Sequence, residues 1–399
     1  MRKQLSIAIF SGELPSSTFI ETLIHGVAKA HKVYLFGIQR SKLSYTNPHI
    51  KIFKTPNTHG LNLLYTLYRL VLLGLQRPKD VIGLFKEIKR YNSRYEQWTW
   101  FSRFLPIVLY RPDVFHMQWT RDLEFYAFLK TRFKIPIVVS LRGAHVHYTP
   151  IVAPYIADVY RASFPLMDGF HAVSQAMAQE ALRYGADASK VKVIHSPIAL
   201  SLFDRFVPYH KTSKASIKIG AVGRFHWVKG MRYAFDACAL LKVQSFAYEF
   251  AFVSSNAIDE ASLFQIDQLG IGEQVTILSA LEQSALFEVM RSFDVLVLPS
   301  LNEGIANVVL EAMALGIPVI STNCGGMPEV VIPNETGWLV PVRDAQALAD
   351  AIVEVSQTSE QELQRITKNA HDLVKQQFNA EESIQAFLEL YEDVLINDY

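Results

Sequence analysis

The chain has 399 residues, half of them apolar and 19% charged, which is too long for one ordinary core and too hydrophobic for disorder. Nineteen glycines, 17 prolines and no low-complexity segment exclude collagen-like and mucin-like architectures, so two globular domains are expected. The net charge of +1 hides an asymmetry: residues 1–215 hold 29 basic and 13 acidic residues, and the remainder 10 and 25.

In chain order, an apolar run at 5–10 follows Met1-Arg2-Lys3-Gln4. It is too short for a signal peptide and lacks a cleavage site, so it reads as a first buried strand. Further strands are expected at 32–36, 113–117, 137–140, 169–173 and 191–195. An insertion at 57–110 lies between the strands at 32–36 and 113–117. Its longest apolar stretch, 61–76, falls short of the roughly 20 residues that cross a bilayer. Within it Leu61, Leu64, Leu67, Tyr68, Leu72 and Leu75 can share a helical face, and Arg69, Arg77, Lys79, Lys86, Lys89 and Arg90 cluster in and beyond it. A helix lying on an anionic leaflet and a helix packed on a sheet both fit that pattern. The excess of basic charge in this half is either a solvated surface or a face for a membrane, a polyanion or a phosphate-bearing substrate. A linker is expected at 201–216. Strands at 217–222, 249–254, 275–278, 294–299 and 318–322 then alternate with amphipathic helical segments, as in a doubly wound α/β domain.

The first turn of this second half reads Gly223-Arg224-Phe225-His226-Trp227-Val228-Lys229-Gly230. Two cations beside the start of a helix suit a phosphate group, although surface residues on a βα loop would look alike. After the strand at 294–299 come Glu303-Gly304-Ile305-Ala306-Asn307 and a helix with Glu311 in an apolar setting. A carboxylate in such surroundings needs a partner, either ligand hydroxyls or a neighbouring loop. The two cysteines, Cys238 and Cys324, form neither a disulfide framework nor a zinc site, which suits a reducing, cytosolic compartment.

The combination Gly223-Arg224-Phe225-x-x-x-Lys229-Gly230, then Glu303-Gly304-x-x-Asn307-x-x-x-Glu311-Ala312-Met313-Ala314-x-Gly316-x-Pro318 and Gly325-Gly326-x-Pro328-Glu329, resembles the retaining GT-B glycosyltransferases of family 4. The resemblance is close over 217–345 and looser over 113–205. It implies an α/β GT-B fold: two Rossmann-like doubly wound domains facing a central cleft, an acceptor-binding domain at 1–200, a donor-binding domain at 217–380, and a closing helix at 381–397 on the first domain. It further implies that Arg224 and Lys229 hold the diphosphate of a nucleotide-sugar donor, that Glu311 binds the ribose and that Glu303 faces the sugar. Gly223 and the backbone of Gly304, Ile305, Ala306 and Asn307 complete the donor site. The family's glycine-rich first loop is represented here by Gly12 alone, and Arg142 stands where the family has a histidine. Arg142 would add a cation for the donor phosphate or bind an anionic acceptor, and His145 or His116 would supply an imidazole.

With no Asp-x-Asp motif in the chain, neither metal nor cofactor is expected beyond the nucleotide diphosphate sugar as co-substrate. The expected acceptor is a saccharide or lipid-linked saccharide of the cell envelope or an exopolysaccharide. An anionic membrane surface is a further expected partner and nucleic acid is not. The competing reading is a catalytically degenerate GT-B protein that binds nucleotide or scaffolds a polysaccharide-synthesis complex.

Overall fold

The structure, a computed structural model, describes residues 4–40, 44–211 and 216–396. Residues 1–3, 212–215 of the expected linker and Asn397 of the expected closing helix lie outside the described residues. The chain divides into two units, each built on its own sheet. Unit 1 holds the chain up to Val173, then Met177–Pro197 and the chain from Glu381; unit 2 holds Ser174–Ala176 and Ile198–Ala380.

In unit 1 the strands are β1 (Ser6–Phe10), β2 (Gly12–Leu14), β3 (Lys32–Gln39), β4 (Ile50–Thr55), β5 (Val114–Met117), β6 (Ile137–Leu141), β7 (Gly169–Ala172) and β8 (Val191–Val193). All pair in parallel. β4 flanks one side of β3. β1 and β2 take successive stretches of its other side, and β5 to β8 follow from β1. A parallel sheet covered on both faces needs strands apolar on both sides. Accordingly Ala8, Phe10, Phe115, Met117 and Val139 enter one core, while Ile7, Ile9, Val33, Leu35 and Val138 enter the other. α1 (Thr18–Val27) follows β2.

The insertion comprises α2 (His59–Gln76), α3 (Pro78–Ile88) and α4 (Arg94–Tyr110). α4 starts on a capping box in which Ser93 Oγ accepts from Glu96 N and the Glu96 carboxylate accepts from Ser93 N. α2 is inverted relative to an ordinary surface helix. Its buried side is largely polar: Asn62 Nδ2 donates to Ser102 Oγ at 3.1 Å, and Arg69 Nη2 donates to the Lys54 carbonyl at 3.1 Å. Leu61, Leu64, Leu67, Tyr68, Val71 and Leu75 are exposed, Leu75 at 79%. Of the apolar stripe expected from spacing, Leu61, Leu64, Leu67, Tyr68 and Leu75 therefore face solvent, whereas Leu72 is half-buried against the unit 1 core.

Unit 2 contains β9 (Ile217–Gly223), β10 (Tyr248–Ser254), β11 (Val275–Leu278), β12 (Val295–Leu298), β13 (Val319–Thr322) and β14 (Trp338–Val340), in the parallel order β11-β10-β9-β12-β13-β14. Among its helices are α5 (Met231–Val243), α6 (Asn307–Leu315) and α7 (Glu360–Gln377). The segment expected to be linker from 201 instead begins inside this unit. A helical turn at Leu200–Phe203 places Leu202 and Phe203 in the unit 2 core, and Ile198 bridges Asn379. Those apolar side chains explain why the boundary falls at Pro197.

The closing helix, α8 (Ala380–Ile396), brings Phe387, Leu390, Tyr391 and Val394 into the unit 1 core beside Ile7, Val114 and Val138. It is also held by a buried polar chain. His171 Nε2 lies 2.8 Å from the Ile194 carbonyl and must carry the proton, so its Nδ1 accepts from Ser140 Oγ at 2.8 Å. Ser140 in turn accepts from His116 Nε2 at 2.8 Å, and His116 Nδ1 accepts from Tyr391 Oη at 2.7 Å. One direction of donation satisfies every member. His116, one of the two residues expected above to supply an imidazole, is instead fully buried and committed to this chain.

Burial, with the Arg142 charge as a second cause, holds both histidines well below their usual range. The unfolded chain therefore binds protons near pH 6.5 that the folded chain refuses, and stability falls as pH drops below that point. Urea unfolding between pH 7 and pH 5 is expected to show a loss of up to about 1.4 kcal/mol per pH unit for each histidine. Tyr391→Phe, which orphans His116 Nδ1, is expected to cost about 1–3 kcal/mol at pH 7.

Candidate donor site in unit 2 and polar groups in unit 1

Strand order in unit 2 reverses between β9 and β12, and open α/β sheets bind ligands beyond the carboxyl ends of the strands at such a point. β9 ends at Gly223 and β12 at Leu298. The segments that follow them carry the expected donor residues. They are stitched together: Leu301 N donates to the Val228 carbonyl at 2.7 Å. Gly230 has φ +64°, and a Cβ there would lie 2.0 Å from the Pro299 carbonyl oxygen, so glycine is required by conformation and by contact.

Arg224 is exposed and makes no hydrogen bond or ion pair with a described residue. Lys229 Nζ donates to Glu303 Oε1 at 2.6 Å, and the same oxygen accepts from Ser300 Oγ at 2.7 Å. Two residues expected to meet different parts of one ligand thus meet each other. Behind them Gly325, at φ +51°, approaches so closely that a Cβ would fall 1.8 Å from the Glu303 carbonyl oxygen. The Cys324 thiol beside it is pushed up to about 11, chiefly by burial, which suits filler rather than a nucleophile.

Gly304 is buried, Ile305 half-buried, and Asn307 opens α6, whose first N–H groups have no partner within the helix. Ala306 departs from expectation: its N–H points to Met327 Sδ at 3.4 Å. Asn302, not singled out from sequence, has a buried Oδ1 with no hydrogen-bond partner among the described residues. Glu311 lies one turn into α6. Its carboxyl accepts no hydrogen bond from a described residue, and burial pushes it up to about 7.

The unit 1 candidates lie elsewhere. Gly12 opens β2 instead of sitting in a loop. Arg142 directly follows β6 and is half-buried; its Nη2 donates to Gln118 Oε1 at 3.1 Å, and the guanidinium lies 4.4 Å from the Phe19 ring. Arg142 Nε and Gln118 Nε2 are buried without partners, and burial draws the guanidinium down to about 9. No carboxylate among the described residues pairs with it. His145 lies on the short helix Ala144–His147, half-buried, with its ring 5.9 Å from that of Trp119. Among the described residues, no group of three or more His, Cys, Asp or Glu side chains is placed to hold a metal ion.

Two family models match the chain: "Glycosyl transferases group 1" over residues 216–358 and "Glycosyl transferase 4-like domain" over residues 66–197. The chain belongs to this family of glycosyltransferases, and its fold is GT-B. It is 30% identical over 250 residues to WcaL of Escherichia coli, a glycosyltransferase provisionally assigned to colanic acid biosynthesis, covering 61% of this chain and 59% of that one. It is 27% identical over 261 residues to the amylovoran biosynthesis glycosyltransferase AmsK of Erwinia amylovora, covering 64% and 63%. The chain therefore spans about three fifths of the length of these relatives. Among solved structures it resembles sucrose-phosphate synthase of Thermosynechococcus elongatus, with a TM-score of 0.76 at 20% identity over 99% of this chain and 100% of that one. It also resembles HepE of Anabaena in complex with UDP-glucose, with a TM-score of 0.66 at 19% identity over 97% of this chain and 100% of that one.

Glu311 generates a stability prediction. Its carboxyl is raised in the folded state from about 4.5 to about 7, so its contribution is lost as pH rises between those values and stays lost above them. Glu311→Gln is expected to make the ligand-free protein more stable at pH 8, by up to about 3 kcal/mol, and indistinguishable near pH 4.5. Thermal melts at the two pH values check this.

Proposed function

We propose that the chain is a retaining hexosyltransferase that moves a sugar from a nucleotide diphosphate sugar to a cell-envelope or exopolysaccharide acceptor without a metal ion. The observation that carries the reading is the set of groups at the β9/β12 switch point: Lys229 tied to Glu303, and Arg224 and Glu311 with no hydrogen-bond partner among the described residues. A diphosphate would take Arg224, the remaining donors of Lys229 and the leading N–H groups of α6. Ribose hydroxyls would supply the hydrogen bonds that Glu311 lacks, and Glu303 would receive a sugar hydroxyl while still holding Lys229. In the transfer, the acceptor oxygen bonds to the anomeric carbon on the face the nucleotide leaves. The bond from that carbon to phosphate oxygen breaks, its electron pair goes to the phosphate, and the acceptor proton follows to that phosphate oxygen. Cationic side chains that stabilise the departing phosphate are then the main catalytic groups, and removing one costs roughly 100- to 1,000-fold in rate.

On this reading the acceptor belongs to unit 1, where Arg142, with no carboxylate partner among the described residues, suits an anionic group such as the phosphate of a lipid-linked saccharide, and His145 and Gly12 lie at the same sheet edge. The polymer-forming roles named for WcaL and AmsK support an exopolysaccharide acceptor, and the UDP-glucose bound to HepE supports a uridine donor. The exposed leucines of α2, with the exposed cations Lys79, Lys86, Lys89, Arg90 and Arg94 on the following helices and turns, support peripheral attachment to an anionic leaflet. No helix among the described residues is long and apolar enough to cross a membrane.

Calorimetry with UDP, GDP and ADP in EDTA is expected to give saturable binding of one nucleotide. Arg224→Ala and Glu311→Ala are each expected to weaken it at least tenfold; binding that survives both substitutions would remove the assigned site. Nucleotide binding without sugar release from the matching nucleotide sugar under any acceptor would favour the scaffold. In flotation assays the protein is expected to rise with phosphatidylglycerol vesicles and not with phosphatidylcholine vesicles, and Leu64→Asp with Leu75→Asp is expected to abolish this. Equal flotation of the double variant would exclude α2 as the contact.

A further inference from the structure

Unit 1 has its own switch point. Its order runs β4-β3-β1 in one direction and β5-β6-β7-β8 in the other, so the crevice beyond β1 and β5 is where its sheet should take a ligand. A cavity of about 170 Å³ lies there. Ser11 to Glu13, after β1, and Arg121 and Asp122, after β5, contribute to its wall. The far side comes from Trp100 and Arg103 of α4, in the insertion for which the sequence suggested no role in the site.

Three features of the lining are unusual for a structural void. Asp122 has a side chain only 20% exposed, yet its carboxylate accepts no hydrogen bond from a described residue, and its nearest cation, Arg121 Nε, is 3.8 Å away. Burial pushes that carboxyl up to about 6 despite the nearby Arg121 and Arg103 charges. Arg103 is half-buried and lies 5.1 Å from the Trp100 ring, with no carboxylate partner among the described residues. The third feature is aromatic: Trp100 stacks on Phe125 at 4.2 Å, and Phe36 and Tyr126 also line the space. A buried polar group with unmet hydrogen bonds is costly, and this cavity brings together a carboxylate that accepts no hydrogen bond from a described residue, a guanidinium with no carboxylate partner among them, and aromatic side chains.

A ligand that matches all three presents hydroxyls to a carboxylate, an oxygen or anion to a guanidinium, and an apolar C–H face to aromatic rings. A saccharide ring has this chemistry. The volume is about half the lower bound for a drug-sized pocket, which suits one pyranose ring and not a nucleotide. We propose that this cavity is the subsite for one hexopyranose unit of the acceptor, with ring hydroxyls donating to Asp122, a ring substituent accepting from Arg103, and the ring face against Trp100. The proposal rests on the glycosyl-transfer reading above and narrows its acceptor to a saccharide seated on these residues.

The test uses the full chain and saturation-transfer NMR with methyl hexopyranosides, a neutral set (glucoside, galactoside, mannoside) and an anionic one (glucuronide, 6-phosphoglucoside). At least one glycoside is expected to receive saturation in the wild type and to lose at least tenfold in affinity in Asp122→Asn and in Trp100→Leu. UDP affinity, measured in parallel, is expected to stay within twofold. Asp122→Asn removes a poorly solvated charge, so it should fold at least as well as the wild type, and thermal melts confirm that. A preference for the anionic set that disappears in Arg103→Gln would assign the substituent to Arg103; a neutral preference that is insensitive to Arg103→Gln would overturn that part. No saturation of any glycoside, or saturation unchanged in both Asp122→Asn and Trp100→Leu, overturns the subsite. Failure of the wild type to bind any nucleotide would strike the glycosyl-transfer reading instead, whatever the glycosides do.

Discussion

The ion pair between Lys229 and Glu303 organises unit 2. It spans 2.6 Å between segments that leave two adjacent strands, and both segments are pinned from behind by backbone approaches that only glycine permits, at Gly230 and Gly325. The pair fixes where the cation stands and leaves part of each partner's hydrogen-bonding capacity unused. Ser300 takes a share of the same carboxylate oxygen, so the loop after β12 is tied down by the protein's own side chains. A site built this way loses little freedom on binding, since its charged groups are already held in place.

In each unit, charged groups remain under-partnered among the described residues. Glu311 in unit 2, and Arg142 and Asp122 in unit 1, are all substantially buried, and burial shifts each toward its neutral form. An interior selected for stability alone would not accumulate such groups. Their placement at the carboxyl ends of parallel strands is coherent, because helix N-termini and loops gather at that edge.

Much of the fold was legible in the sequence. Strands such as Ile137–Leu141 and Val295–Leu298 were visible within a residue because a strand buried on both faces reads as a nearly unbroken apolar run. β4 and β14 were missed for opposite reasons. β4, Ile-Lys-Ile-Phe-Lys-Thr, is an edge strand diluted by lysines, and β14 is only three residues long. For α2, helical spacing located the leucine stripe but could not say which way it faces, because periodicity defines a face and tertiary contacts orient it. In the site, Arg224, Lys229, Glu303 and Glu311 stood out by residue type and spacing, whereas the bond joining Lys229 to Glu303 depends on the sheet bringing β9 beside β12. Asp122 carried no local signal at all: its character comes from burial by segments distant in sequence.

The helix that completes unit 1 is separated from the rest of that unit by all of Ile198–Ala380. On the ribosome, the first sheet emerges early but lacks Phe387, Leu390, Tyr391 and Val394, the side chains that cover one of its faces. It also lacks the tyrosine hydroxyl that ends the polar chain through His116. Until α8 emerges, Ile7, Val114 and Val138 have an incomplete cover, while unit 2 is contiguous apart from Ser174–Ala176 and can close on its own residues. The usual order of domain maturation, from the amino terminus onward, is thereby reversed: the unit made first finishes last, and an intervening pause in synthesis leaves an uncovered apolar sheet face for chaperones to bind.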